Sequence, residues 1–86
     1  MMKNHWKTRS IYLASFVLAR GAEFAKVEIA EGAPTFVFDG RDEARRLVYE
    51  YLTDTEALVN ARAHIDALDR LHRRAQEALD EYYAQG

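Results

Sequence analysis

The three histidines, His5, His64 and His72, are the side chains with the widest range of chemistry in this sequence. His64 and His72 lie two turns apart on one helical face, and Leu68 occupies the position between them. A helical metal pair needs ligands at i and i+3 or i+4, so this spacing does not suit a metal. His72 also falls in an apolar stripe, where a histidine usually packs and hydrogen-bonds. We therefore predict no metal site and no cofactor.

The hydroxyl and carboxylate side chains form no catalytic pattern either. Ser10 and Ser15 lack the Gly-rich elbow, acid and histidine that activate a serine. Adjacent acidic residues such as Asp42 and Glu43 do not face each other on a helix. The four glycines are isolated, and the chain has no cysteine, which removes phosphate loops and thiolate chemistry. The sequence therefore predicts a protein that is not an enzyme.

Basic side chains have the clearest functional potential. The first 20 residues carry four lysines and arginines and no acidic residue, with Trp6 and Tyr12 interleaved. Such a segment can bind phosphates and stack a nucleobase. A second basic cluster lies in the last third of the chain. The candidate contacts to nucleic acid or to a partner protein are Lys3, Trp6, Lys7, Arg9, Arg70, Arg73 and Arg74.

Each basic cluster also has a plainer interpretation. The formal net charge is −2, whereas a dedicated nucleic-acid-binding domain is usually strongly basic. For the N-terminal cluster, a solvated tail is preferred to nucleic-acid binding. The second cluster offers three i, i+4 ion pairs on a solvated helix face, which are Asp66–Arg70, Asp69–Arg73 and Arg73–Glu77. A protein partner is therefore favoured, and nucleic acid is kept as the alternative.

Length and composition limit the class of protein. A chain of 86 residues is one domain, and a domain of this size buries only about 60–65% of its unfolded surface. Its 49% hydrophobic and 30% charged residues are typical of a folded domain. The lack of cysteine favours a reducing, cytoplasmic setting. No apolar run approaches the roughly 20 residues that span a bilayer, so no membrane association is expected.

Periodicity in the first half of the chain predicts one helix and a hairpin. Residues 1–9 are polar and basic, and we expect them to be flexible. An apolar helix follows over residues 11–20, capped by Thr8 or Ser10 and ended by Gly21. Alternation then predicts two antiparallel strands, over residues 24–29 and 35–39, joined by a turn at residues 31–34.

Two further helices are predicted in the second half. The first is amphipathic and is capped by Asp39 or Asp42. Its apolar face comprises Ala44, Leu47, Val48, Tyr51 and Leu52. The second begins at Thr55 or at Asn60, with Asn60 preferred, and runs to Tyr83. A helix over residues 60–83 is about 35 Å long, so its last turns are expected to overhang the body or to pack on another copy.

The last helix also shows a heptad-like stripe of apolar positions. The stripe comprises Leu58, Ala61, Ile65, Leu68, His72, Ala75, Leu79 and Tyr82. Such a stripe favours pairing of two helices, and a small domain gains from extra burial. We therefore predict a homodimer as a hypothesis. The residues assigned to self-association are Leu68, His72, Ala75, Leu79 and Tyr82.

Five segments of the chain share their order and apolar pattern with a known group of proteins. They are residues 10–21, 27–29, 35–39, 44–52 and 59–71, and Gly21 and the Phe-Val-Phe-Asp run ending at Asp39 are the most distinctive pieces. Over residues 8–72 the chain resembles a family of short uncharacterised domains from bacterial and bacteriophage genomes. The resemblance implies a cytoplasmic setting and a phage or mobile-element origin, and it transfers no function.

Together these observations predict a single α+β domain over residues 1–86. Its elements follow the order α-β-β-α-α, with a two-stranded antiparallel hairpin packed by helices and a long C-terminal helix. The predicted function is that of a small interaction protein, either an accessory protein or a phage-type inhibitor that binds a partner protein. The alternative is a nucleic-acid-associated protein that uses the basic and aromatic N-terminal segment. No small-molecule substrate is predicted.

Overall fold

The computed structural model describes residues 4–53 and 61–85. These residues form six elements in the order β-α-β-β-α-α. Their bounds are β1 His5–Thr8, α1 Ile11–Ala19, β2 Glu23–Ala30, β3 Ala33–Asp39, α2 Arg41–Thr53 and α3 Ala61–Gln85. The predicted α+β class and the long C-terminal helix are confirmed. Thr55 and Asn60, the two predicted starts of the last helix, lie outside the described residues.

The sheet contains three antiparallel strands in the order β1-β3-β2, so the prediction of a two-stranded hairpin is wrong. The third strand is β1, which lies in the segment predicted to be flexible. In its register Trp6 pairs with Phe38 and Thr8 pairs with Phe36. A strand of four residues has too few positions to show alternation. Residues 5–8 form a strand because they pair with β3, which is distant in the chain, and not because their own sequence favours a strand.

The turn between β2 and β3 is tighter than predicted. Ala30 pairs with Ala33, so only Glu31 and Gly32 form the loop, with φ values of 55° and 78°. Positive φ at both positions is the geometry of a two-residue hairpin turn. Pro34 therefore belongs to β3 and not to the turn. It lies beyond the position at which β1 ends, so its missing N–H removes no hydrogen bond to that strand.

Helix α1 begins and ends as its sequence predicts. The Ser10 hydroxyl accepts a hydrogen bond from the Leu13 N–H at 3.1 Å, which satisfies one free donor of the first turn. Gly21 follows the helix with φ of 97°, a conformation that only glycine adopts without strain. The helix is apolar on nearly every side, and Phe16 and Val17 are buried between the other helices and the sheet.

Helix α2 begins after Gly40, so neither Asp39 nor Asp42 immediately precedes it as a cap. The Asn4 carbonyl accepts hydrogen bonds from the N–H groups of Gly40 and Arg41, at 3.1 and 3.2 Å. The backbone at the start of β1 thus satisfies two donors of this helix end. Sequence inspection missed this arrangement because the acceptor is a main-chain group 36 residues away.

The hydrophobic core lies between the helices and one face of the sheet, which we call the inner face. Phe36 and Phe38 of β3 are buried there, together with Leu47 of α2 and Leu71 of α3. Trp6 of β1 packs at the margin of this cluster.

Helix α3 buries a face that overlaps the predicted heptad stripe only in part. Ala67, Leu71 and Ala75 are buried, at spacings of four, whereas Ile65 and His72 are exposed. The elements that pack against α3, chiefly α1 and β2, decide which of its sides is buried.

Of the two predicted arrangements for the last turns of α3, the overhang is wrong, and packing on another copy stays a prediction. These turns lie beside the hairpin, and the Tyr83 hydroxyl comes within 3.9 Å of the position that a Cβ on Gly32 would occupy. The helix therefore runs the length of β2, from the start of that strand to the turn that follows it.

Candidate interaction surfaces

Trp6 occupies an inner-face position and is not available for base stacking next to the N-terminal basic side chains. It is half-buried, and its ring centroid lies 5.7 Å from that of Phe38. The adjacent Lys7 projects from the opposite face of β1, because successive strand residues alternate in direction. Lys3 lies outside the described residues. The structure thus separates the aromatic and the basic parts of the predicted N-terminal site.

The other basic residues of the N-terminal segment have acidic neighbours. Lys7 Nζ lies 3.1 Å from Glu28 Oε2, and an Arg9 guanidinium nitrogen lies 3.5 Å from Glu31 Oε2. Arg20, at the end of α1, is 2.9 Å from the Glu50 carboxylate. These pairs reduce the positive charge that the segment offers to a phosphate.

The outer face of the sheet carries charged side chains from β1 and β2. Lys26 Nζ lies 3.3 Å from Glu28 Oε1, so Glu28 bridges Lys7 and Lys26. The hydrogen bond from Lys7, followed by that from Lys26, lowers the pKa of Glu28 below its ordinary value. Their cross-strand neighbours are Val37, which is fully buried, and Thr35, which is nearly so.

The arginines of α3 lie over an aromatic ring of β2. The guanidinium carbons of Arg70 and Arg74 are 5.7 and 5.6 Å from the centroid of Phe24. Arg74 Nε also lies 3.8 Å from Glu77. Arg70 and Arg73 form no ion pair with any residue that the structure describes, so the three expected i, i+4 pairs do not form. This cluster borders β2, at the opposite edge of the sheet from β1.

The residues assigned to self-association do not share one free face. Ala75 is buried in the core, and Leu68 and Leu79 are half-buried. His72 and Tyr82 are exposed. The homodimer stays a prediction, but a dimer formed through α3 would use the exposed positions and not the whole stripe.

Sequence inspection missed an exposed stripe on α2. Tyr49 and Leu52 are 69% and 71% exposed, and Arg45 lies one turn before Tyr49 on the same side of the helix. We call these three residues the α2 stripe. Leu52 was assigned to the buried face, and that assignment is wrong. One signal in the sequence could have revealed the stripe. The end of this helix carries more large apolar residues than a single core-facing side can bury.

Contacts between α1 and α2 fix the direction of the α2 stripe. The rings of Tyr51 and Phe16 lie 5.0 Å apart, and Arg20 of α1 lies over the Phe16 ring while it pairs with Glu50. Tyr51 and Glu50 therefore hold the end of α2 against α1. The α2 stripe, on another side of the same turns, remains in contact with solvent.

The described residues contain no cluster for metal chemistry. Within residues 4–53 and 61–85, no group of three or more histidine, aspartate or glutamate side chains is placed to hold a metal ion. His5 Nδ1 instead lies 3.0 Å from the Asp39 carboxylate, and His64 is half-buried on α3. In the same part of the chain, no helix combines the length and apolar character needed to cross a membrane.

Comparison with known proteins identifies the family of this chain. Residues 3–78 match the family described as a domain of unknown function, DUF5659. The match covers most of the chain, which therefore belongs to this family, and the predicted resemblance to an uncharacterised family is confirmed. No curated protein and no solved structure matches the chain.

Proposed function

We propose that this protein is a non-enzymatic interaction module that binds a partner protein through the α2 stripe. The observation that carries the proposal is the exposure of Tyr49 and Leu52 on one side of α2, next to Arg45. Tyrosine and arginine are enriched at protein interfaces, where a few such residues supply most of the binding energy. In a cell, such a module acts as an accessory protein or as a phage-type inhibitor that occludes its target.

The α2 stripe is preferred to Tyr12 and Ile65 because its two apolar members, Tyr49 and Leu52, lie within one turn of each other. Tyr12 is the single large exposed apolar residue on the described part of α1, and Ile65 is the single one in the first half of α3. Isolated surface apolar residues are normal and need no function. Two adjacent ones beside an arginine form the centre of a contact surface.

The charges around the stripe define the chemistry of the partner. Arg45, and Arg41 one turn earlier, form no ion pair with any residue that the structure describes, and Asp42 lies at the margin. The surface is therefore apolar with a net positive border. It fits a partner that offers an apolar cleft for Tyr49 and Leu52 and a carboxylate close to Arg45.

The test begins with affinity capture by the immobilised protein and by two variants. The double variant Tyr49→Ser/Leu52→Ser removes the α2 stripe, and Tyr12→Ser is the control because Tyr12 is also 65% exposed. The protein captured by the wild type is then purified and titrated calorimetrically. We expect the double variant to bind at least tenfold more weakly and the control to bind as the wild type does. Equal binding by the double variant contradicts the proposal.

A second candidate function is association with nucleic acid through Arg70, Arg73 and Arg74. It is favoured by the lack of described carboxylate partners for the first two of these arginines. The test is fluorescence anisotropy of labelled single- and double-stranded oligonucleotides at low and at physiological salt. We expect affinity to fall steeply with salt and to be lost in Arg70→Ala/Arg73→Ala, with Lys7→Ala/Arg9→Ala as the comparison. Lack of binding at low salt contradicts this candidate.

A further inference from the structure

Strand β2 is an edge of the sheet, and a groove runs along its free side. The strand order β1-β3-β2 leaves one side of β2 without a strand neighbour. No backbone hydrogen bond joins that side of β2 to another described element. An edge strand presents alternating N–H and C=O groups that are free to pair with another extended chain.

Helix α3 forms the second wall of this groove. Arg70 and Arg74 contact Phe24 at the start of β2, and Tyr83 lies beside the Gly32 turn at its end. From residue 70 to residue 83 a helix advances about 20 Å, which is close to the length of an eight-residue strand. Helix and strand therefore run side by side.

Two adjoining hollows of about 130 and 250 Å³ lie between β2 and α3. Both are lined by Val27, Ala78 and Glu81, and the described residues around them come from β2 and α3 alone. Lys26 also lines the smaller hollow although it projects from the outer face, opposite to Val27. The hollows therefore open around the edge of β2 and not towards the core. Together they form what we call the β2–α3 groove.

The lining of the groove indicates what fits it. Val27, Ile29 and Ala78 give it an apolar floor, and Glu81 on its rim forms no ion pair within the described part of the chain. Each hollow is smaller than the roughly 300 Å³ of a typical small-molecule site and suits single side chains instead. The other charged lining residues are paired, Lys26 with Glu28 and Arg74 with Glu77. Glu81 is therefore the one lining charge without an ion partner among the described residues, and it is complementary to a basic side chain that alternates with apolar ones.

We infer that the β2–α3 groove binds a short extended peptide segment of a partner as an additional strand on β2. Its backbone pairs with β2, alternate apolar side chains enter the hollows, and a lysine or arginine approaches Glu81. A bulge between Phe24 and Lys26 interrupts the regular ladder, so the added strand is limited to the stretch from Lys26 to Ala30. The groove is formed by β2 and α3, whereas the stripe of the proposed function lies on α2. The peptide-binding proposal and the proposed function can therefore fail independently.

The probe is the acetylated, amidated hexapeptide Lys-Val-Lys-Ile-Lys-Val, titrated into ¹⁵N-labelled protein and followed by amide chemical shifts. We expect shifts confined to residues 26–30 and 77–85, with saturation at micromolar to millimolar peptide. The same peptide with alternate amides N-methylated tests the strand pairing, and we expect it to bind at least tenfold more weakly. Replacement of its lysines by glutamates tests the contact with Glu81 and is expected to weaken binding several-fold.

Three protein variants complete the experiment. Ala78→Arg fills the groove with a good helix former and is expected to reduce affinity at least tenfold. Glu81→Lys, at an exposed position, is expected to weaken binding several-fold, and Tyr49→Ser is expected to bind as the wild type does. Far-UV circular dichroism verifies that each variant is folded. If Ala78→Arg does not fold, the result for Glu81→Lys decides the test.

Three results would overturn the inference. The first is the absence of shifts at millimolar peptide, and the second is equal binding of the N-methylated peptide. The third is a dimer in light scattering that dissociates in Ala78→Arg, because it would assign the groove to a second copy of this chain.

Discussion

The two faces of the sheet are built from neighbouring residues of the same strands, yet they are covered in different ways. On the inner face, Phe36 and Phe38 are buried under helices. On the outer face, Val37 is equally inaccessible, but its neighbours on β1 and β2 are Lys7 and Lys26, whose side chains carry charges at their tips. Burial of a residue therefore does not by itself reveal what covers it.

The difference between the faces is one of rigidity. A helix-packed aromatic residue is surrounded by side chains that cannot move into a vacated space, so its removal leaves a cavity. Lysine and glutamate stems lie along apolar surface while their charged ends stay in water, and these flexible stems can rearrange. We therefore expect the inner face to contribute most of the stability and the outer face to tolerate substitution.

The largest expected effect comes from Phe38→Ala. Loss of a buried phenylalanine lowers the free energy of unfolding by about 3–5 kcal/mol, because it removes apolar burial and leaves a cavity. Val37→Ala is the matched change on the outer face, and at about 0.8 kcal/mol for each buried methyl group it is expected to lower stability by about 1.6 kcal/mol. Urea denaturation measures both. Because Phe38→Ala removes six carbons and Val37→Ala only two, a loss for Val37→Ala as large as that for Phe38→Ala would show that the outer face is at least as rigid as the inner face.

A gain of stability is expected for Thr35→Val. The Thr35 hydroxyl is buried, and Oγ1 has no hydrogen-bond partner among the described residues. Valine has nearly the same shape and removes the unsatisfied polar atom, so we expect the free energy of unfolding to rise by about 1 kcal/mol. Thr35→Ser, which keeps the hydroxyl, is the control. A loss of stability in Thr35→Val would indicate that a water molecule satisfies this hydroxyl.

A smaller effect is expected when the ion-pair bridge on the outer face is broken. Glu28→Gln keeps the shape of the side chain and removes its charge, and its bridge to Lys7 and Lys26 is partly exposed. Exposed ion pairs contribute about 0–1 kcal/mol, so we expect a loss within that range that disappears at high salt. A larger loss, or one that salt does not reduce, would mean that the bridge is shielded from solvent.

The smallest effect concerns pH. The pKa of Glu28 is lowered in the folded protein by its hydrogen bonds to Lys7 and Lys26. Its contribution to stability is therefore complete above the ordinary glutamate pKa of 4.5 and is lost as the pH falls through the lower folded value. Urea denaturation between pH 7 and pH 3 should show the stabilities of wild type and Glu28→Gln converging in acid. A constant difference would contradict this assignment.

Sequence inspection predicted the elements that depend on local signals. The Ser10 cap, the Gly21 end of α1, the alternation in β2 and β3 and the length of α3 all follow from neighbouring residues. The failures involved distant partners. Residues 5–8 form a strand because β3 lies beside them, and the Asn4 carbonyl satisfies the start of α2. Neither arrangement has a signature within its own segment.

For the candidate surfaces, too, the sequence predicted local features and missed those that depend on distant residues. The sequence located the arginines of α3 but not the Phe24 ring that lies beneath two of them. It assigned Leu52 to a buried face, since the periodicity of α2 fits burial at that position. The structure shows that α1 contacts Tyr51 and Glu50 instead, which leaves Leu52 exposed. The orientation of a helix about its own axis is decided by what packs against it.

By itself the sequence determined the class of this domain, most of its element boundaries and the residues able to occupy a core, because these depend on interactions over a few residues. The tertiary structure alone decided the third strand, the separation of Trp6 from the basic side chains, and the groove between β2 and α3. Each of these brings together residues far apart in the chain, and the free energy that fixes them comes from contacts that exist only after folding.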